Sequence, residues 1–516
     1  MLIFIYLAAF IHYTSGQASQ WIDTFQKDLC RDRWSQMDWQ SILRPCRFNT
    51  AFGKNKYDER KRTSPKWSHT TSLHFEKTGE FSKVTLQTRT GDGRNKDVGG
   101  DTWRMFVRGA DRVTPFISDL NNGVYEAQFI VFQPGLYKVE VVLESTLCEA
   151  FKDPPQDWLK RDARTIISDE KNADLLWEPL RGGNISLKIE ESPLETVKAL
   201  RRNFMRWKED CGPQYKCDLL WKGFGRWANS TWLPYIDEDD DGDTEEGQNR
   251  CFREKEGVLK MTGDYMTREI SHFTKNSSLC NGVFKRCESD REGEQPDAEL
   301  YSKRDKGESK VFSTKTYLHE LKELLKKDYM GQKSGLLLNY GHPFVQNLGF
   351  KQYRSFIDRA VRIVKEKYKG KPLWRSMATK WKESPAAEDH FANHQRIKLF
   401  NAYATSAMCN AGIPVLDVFQ MTESAPPNDR AAVLRTVEKI VTKYFKDRPT
   451  KKCTKKKKTK ISKLKKLNET LNFMTPRDKI PANETLNFMT PRDKIPANET
   501  ITSINGTAPT NTGSAS

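Results

Sequence analysis

The sequence predicts a multidomain chain: an N-terminal antiparallel β-sandwich, a C-terminal α/β domain built on a parallel sheet, and a disordered C-terminal tail. Three observations carry this. Between 63 and 150, apolar residues recur with period two and are separated by turn dipeptides. Between 211 and 447, short apolar runs alternate with amphipathic helical patterns. Beyond 448 the composition changes to lysine, proline and a perfect repeat.

In chain order, residues 1–18, "MLIFIYLAAFIHYTSGQA", hold an apolar run followed by small polar residues. That run is too short to span a bilayer and reads as a secretory signal. No basic residue precedes it, so a retained anchor in the Golgi lumen stands as the alternative. No later segment is long enough for an integral membrane span. Residues 19–62 form a Trp-containing lead-in with Cys30 and Cys46, and their pattern assigns no element.

The sandwich, 63–150, shows its faces directly. Trp103, Met105 and Val107 share one face, as do Tyr125, Ala127, Phe129 and Val131, and then Tyr137, Val139, Val141 and Leu143. Lys138 and Glu140 point outward. "NNG" at 121–123 and "QPG" at 133–135 supply turns. "ISDLNNGVYEAQFIVFQPGLYKVEVVL" resembles a filamin or immunoglobulin-like repeat, a module that binds or spaces.

Residues 151–210 read as a linker with one helix opening at Ser192-Pro193. In 211–447, "GVLKM", "GLLLNYG" and "IPVLDVF" are strand-like, and "YRSFIDRAVRIVKEKY" and "RAAVLRTVEKIVTKYF" are helical. In a parallel sheet, chemistry gathers beyond the carboxyl ends of the strands. Gly263-Asp264, Gly341-His342 and Asp417 fall there.

Export agrees with the ten cysteines. Cys30, Cys46, Cys148, Cys211, Cys217, Cys251, Cys280, Cys287 and Cys409 are disulfide candidates, with Cys453 completing an even count whose pairing stays open. Seven sequons stand at Asn184, Asn229, Asn276, Asn468, Asn483, Asn498 and Asn505. The net charge of +18 is local, because 446–467 alone carries +11. That Lys-rich segment suits a polyanionic extracellular partner such as a sulfated glycan, through many weak attractions. Basic-site cleavage and a silent solvated tail are the alternatives, and nucleic acid is not expected of an exported chain. The tail, 448–516, repeats "NETLNFMTPRDKIPA" from Asn468 and again from Asn483. Two copies are too few to stack.

"LKMTGDYMTRE" resembles the first block of the NXPE (neurexophilin and PC-esterase domain) family, whose pattern is Gly-Asp-Ser followed by Arg. "RWANSTWLP", Cys251, "LLLNYGHPF" and "GIPVLDVF" resemble its later landmarks in order, over roughly 65–445. The resemblance implies an SGNH-hydrolase-like fold related to sugar O-acetyl esterases and acetyltransferases. Carried over, Gly263, Asp264 and Arg268 match the first block, Gly341 and His342 the second, and Asp417 opens the last. Tyr265 stands where the family has its nucleophilic serine. Ala425 stands where it has a histidine.

A phenol with a pKa of about 10 on a rigid ring does not replace a serine hydroxyl. Losing a triad member costs on the order of 10⁴ to 10⁶ in turnover. The expectation is a pseudo-esterase with vestigial Gly263, Asp264, Tyr265, Arg268, Gly341, His342, Asp417 and Ala425. Asp264 reads as structural in the turn, and Thr267 as facing away from it. The competing expectation is a carbohydrate O-acyl esterase or transferase with a relocated nucleophile, for which His342, His390 or His394 would serve as base. No cofactor is expected. A weak Ca²⁺ site is conceivable at Asp237, Asp239 and Asp241, but Gln248 holds the twelfth loop position, where calcium loops need a glutamate. A calcium- or mineral-associated matrix protein is the third expectation.

Overall fold

The computed structural model describes residues 22–54, 56–155, 176–193, 211–212, 217–236, 255–290, 312–379, 387–426 and 429–446. The signal, the Asp237–Gln248 loop, most of the helix expected after Ser192, Cys251, Cys453 and the tail with its four sequons lie outside the described residues.

The lead-in is helical, which its pattern alone did not assign. Helix α1 spans 22–37 and α2 spans Trp39–Leu43, with the Asp38 carboxylate between them accepting from Gln40 N and Ser41 N. Phe25, Leu29, Arg33 and Met37 repeat every fourth residue and are all buried, so α1 carries one guanidinium inward on an otherwise apolar stripe.

The first domain pairs two antiparallel sheets. One holds β1 (His69–His74), β2 (Phe81–Gln87), β5 (Phe116–Asp119) and β6 (Val124–Ile130), in the order β1-β2-β6-β5. The other holds β3 (Thr102–Arg108), β4 (Asp111–Val113), β7 (Gly135–Ser145), β8 (Glu178–Pro179), β9 (Ile185–Ile189), β10 (Gly225–Ala228) and β11 (Thr231–Pro234). The three apolar faces expected from period two meet in one buried cluster with Val84 and Leu86. Two boundaries move. Strands β8 and β9, placed by sequence in the 151–210 linker, hydrogen-bond to β7. Strands β10 and β11, placed in the 211–447 domain, extend the same sheet through β4. The cause is the short β4, whose free edge accepts a hairpin. That hairpin turns at Asn229 and Ser230, both at positive φ (47° and 56°), as a two-residue turn between twisted strands requires.

The second domain has five parallel strands: β12 (Val258–Thr262), β13 (Arg286–Ser289), β14 (Gly335–Leu338), β15 (Lys371–Arg375) and β16 (Val415–Leu416). Their order is β13-β12-β14-β15-β16, so the winding direction reverses between β12 and β14. Side chains alternate across the sheet. Leu259, Met261, Leu337, Leu373 and Leu416 join one core, with α3 (Tyr265–Thr274) and, later in the chain, the helix Arg430–Lys446. Leu336, Leu338, Trp374 and Val415 join the opposite core. There they meet α4 (Thr314–Lys326), α5 (His342–Asn347), α6 (Phe350–Lys367) and α7 (His394–Asn410). Helix α8 (Phe419–Glu423) follows β16, and Arg430–Lys446 is α9. Near-continuous apolar strands are what burial on both faces demands. No helix among the described residues is long and apolar enough to cross a membrane.

The domains share structure rather than a linker. Trp227 of β10 donates Nε1–H to Met421 O at 2.8 Å, and Arg226 pairs with Asp111 at 3.0 Å. The disulfides Cys30–Cys211 and Cys46–Cys148 tie the lead-in to later chain. Cys217–Cys409 and Cys280–Cys287 lie within the second domain.

Candidate functional site

The winding reverses between β12 and β14, and the carboxyl ends of the strands beside such a reversal are the default ligand position in these sheets. Gly263-Asp264 leaves β12 and Asn339 to His342 leave β14. Arg375-Ser376 ends β15 and Asp417 follows β16. A buried polar layer joins these four ends.

Asp264 caps α3, its Oδ1 accepting from Thr267 N at 3.2 Å. The same carboxylate pairs with Arg375, and neither side chain has any exposed surface. Arg375 also donates to Thr267 Oγ1 at 2.8 Å and to Ser376 O at 2.9 Å. Asn339 bridges the layer: its Oδ1 accepts from Asp264 N at 3.4 Å, and its Nδ2 donates to Arg375 O at 2.8 Å. Two glycines are required by this closeness. A Cβ on Gly341 would run into the Asp264 carboxylate, and one on Gly263 would sit 2.7 Å from Thr267 Oγ1 and 2.9 Å from Asn339 O.

Thr267 does not face away from the turn. It is the third helical residue, and Cα–Cβ bonds tilt toward a helix N-terminus, so its hydroxyl returns to the cap and is buried. Tyr265, the first helical residue, is instead 44% exposed on the rim. Guanidinium groups of Arg268 and Arg430 sit 5.0 and 4.8 Å from its ring centre. Arg430 also pairs with Glu269. His342 opens α5 with its Nε2 2.9 Å from Ala378 O. Gly263, Asp264, Thr267 and Gly341 therefore converge, with Tyr265 and Arg268 outside them.

Asp417 is committed elsewhere. Its Oδ2 pairs with Arg33 of α1 at 2.9 Å. Its Oδ1 accepts from Ser376 Oγ at 2.8 Å and from Phe419 N at 3.2 Å. Ala425 lies half-buried against the apolar core that holds Val418 and Met421. His390 is buried with Nε2 unpartnered, and burial pulls its pKa down to about 4. His394 faces Glu423, Nε2 to Oε1 3.3 Å, and burial holds it well below its usual value. Neither ring touches the Asp264 cluster. Arg33, Asn339, Arg375 and Ser376 escaped the sequence reading. The signal for Arg375 was an arginine closing the apolar "KPLWR", and for Arg33 its place on the α1 stripe.

The three described sequons, Asn184, Asn229 and Asn276, are exposed. Among the described residues no group of three or more His, Cys, Asp or Glu is arranged to hold a metal ion.

No protein-family model matches the chain, and no curated protein matches it. Among solved structures, the crystal structure of the Lin-41 filamin domain is similar over 25% of this chain and 99% of its own, at 12% identity and a TM-score of 0.17. That score is too low to argue from.

Proposed function

We propose that this chain is a secreted, NXPE-like glycoprotein whose hydrolase-like domain binds rather than cleaves, in an adhesion or matrix role. The observation that carries the reading is the engagement of Asp417. Both its oxygens already accept, Oδ2 from Arg33 and Oδ1 from Ser376 Oγ and Phe419 N, so an imidazole would have to share Oδ2 with a guanidinium. The exposed Tyr265 and the apolar surroundings of Ala425 agree with it. The winding reversal beside Asp264 supports the SGNH-like half of the resemblance, the disulfides support export, and the exposed sequons support glycosylation. Tyr265 between two guanidinium groups offers a flat, cationic surface for a glycan or an acidic protein segment.

A relocated nucleophile is the second reading, favoured by the Thr267 hydroxyl facing the cap. Against it, that hydroxyl is buried and accepts from Arg375, and the carboxylate it donates to, Asp264 Oδ1 at 3.4 Å, is paired with the same guanidinium. The test is purified chain with acetylated sugars and a chromogenic acetyl ester, and intact mass for an acyl adduct. No turnover and no adduct are expected. Turnover abolished by Thr267→Ala or His342→Ala would reverse the reading. Calcium titration of the Asp237–Gln248 loop decides the matrix-mineral alternative.

A further inference from the structure

A separate cavity of about 40 Å³ lies between the sandwich and the second domain, lined by the end of α1, β3, the β4–β5 turn, α7 and α8. Five polar atoms on its lining residues are buried without a hydrogen-bond or ion-pair partner: Gln36 Nε2, Trp103 Nε1, Thr114 Oγ1, His394 Nδ1 and Gln420 Oε1. All but the partly buried Gln36 are less than one-tenth exposed. A buried polar group left unmatched is costly, and five around one space are not an accident of packing. Two cations face the same space. Arg104 stands 3.5 Å from Glu423, and the Lys398 ammonium lies 3.5 Å from the centre of the Phe116 ring.

We propose that this cavity is a binding site for a small planar oxyanion of the carboxylate class, the size of formate, acetate or hydrogencarbonate. The volume admits about three water-sized groups, which suits ions of this size. Three of the free atoms are donors, on Gln36, Trp103 and Thr114, and the Gln420 amide turns to present a fourth. Lys398 supplies a point charge beside them. Asp417, the other carboxylate on the lining, is already neutralised by Arg33.

Glu423 is the gate on charge. It faces Arg104 from β3, Lys398 and His394 from α7 and Glu144 from β7, while Asp32 of α1 acts on Lys398. Burial raises the Glu423 carboxyl to about 7, and burial lowers Lys398 to about 8. An anion therefore enters most readily with Glu423 protonated and Lys398 charged. Affinity declines as pH rises and Glu423 gains its charge.

The experiment uses the full chain. Thermal unfolding and titration calorimetry are run with sodium formate, acetate and hydrogencarbonate against chloride at equal ionic strength, at pH 6.5 and 8.5. Saturable stabilisation by the carboxylates, weaker at pH 8.5, is expected. Thr114→Val removes one free hydroxyl at constant shape and is expected to weaken binding roughly fivefold. Lys398→Met is expected to weaken it tenfold or more, on the order of a charged contact. No effect beyond chloride means that water alone fills the cavity and overturns the proposal. Binding unchanged in Thr114→Val overturns it equally, and that variant decides the matter where Lys398→Met fails to fold.

Discussion

Replacing Arg375 by Met strands the Asp264 carboxylate. In the parent both side chains are wholly inaccessible, and Arg375 holds Asp264, Thr267 Oγ1 and Ser376 O together. Breaking a buried pair by removing one partner costs about 3–5 kcal/mol, because the remaining charge has neither water nor counter-ion. With an m-value near the top of the usual urea range, that is a midpoint lower by about 1–2 M. The companion variant, Asp264→Asn with Arg375→Met, removes the charge and keeps a side chain able to cap α3. It is expected to recover at least ~2 kcal/mol of the loss, a coupling that urea curves on the four proteins of the cycle measure directly. A single variant within ~1 kcal/mol of the parent would show that Asp264 is not sealed from water. A double variant as weak as the single would trace the cost to lost volume instead of stranded charge. Either outcome refutes the electrostatic account of the polar layer.

Tyr265→Ser combined with Ala425→His is expected to produce no esterase turnover above the parent on a chromogenic ester, since Asp417 stays bound to Arg33 and Ser376. Turnover like that of a working serine esterase would disprove it. Asp32 is pushed from 3.8 up to about 7, chiefly by burial and against the pull of Arg33 and Arg31. The folded chain thus keeps a proton that the unfolded chain releases. Stability from this group is full below pH 4, falls as pH rises to 7, and is flat above. Asp32→Asn is expected to flatten that slope and to stabilise by up to ~4 kcal/mol at pH 8, read as the difference between the two urea-stability profiles so that other titrating groups cancel. Removing the Cys46–Cys148 bridge, which joins residues 102 apart, by Cys46→Ala with Cys148→Ala is expected to cost about 4–5 kcal/mol on the chain-entropy account. Non-reducing urea unfolding measures it, and a loss below 1 kcal/mol would contradict that account.

Much of the fold was legible because one-sided burial writes itself into sequence with period two. Trp103, Met105 and Val107 fall in the sandwich core as their spacing requires. The other face of β3 departs from one-sided burial. Arg104 and Phe106 are also buried, because the second domain and the Trp177 ring cover them. The hairpin of β10 and β11 is four residues a side, too short for periodicity to assign it to a sheet that begins over a hundred residues earlier. Thr267 was misplaced for another reason: spacing gives the face of a helix, but the tilt of Cα–Cβ decides what a first-turn side chain reaches.

The site was legible in its acids and not in its bases. Asp264 and Asp417 stand at strand ends, where an α/β pattern puts functional carboxylates. Their partners are remote, Arg375 lying 111 residues from Asp264 and Arg33 lying 384 from Asp417. No local pattern encodes a pair at such separation. The Arg33 contact also changes what the site is. An α/β domain alone, from 211 onward, would leave Asp417 with an oxygen free for an imidazole. Helix α1 crosses from before the sandwich to the last strand of the sheet, held by Cys30–Cys211, and places a guanidinium on that oxygen. Since a buried ion pair adds little net stability over an apolar one, the arrangement is better understood as fixing where α1 docks than as strengthening the fold. Docking and catalysis would draw on the same carboxylate oxygen, and in this chain an imidazole would have to share it with the docked guanidinium.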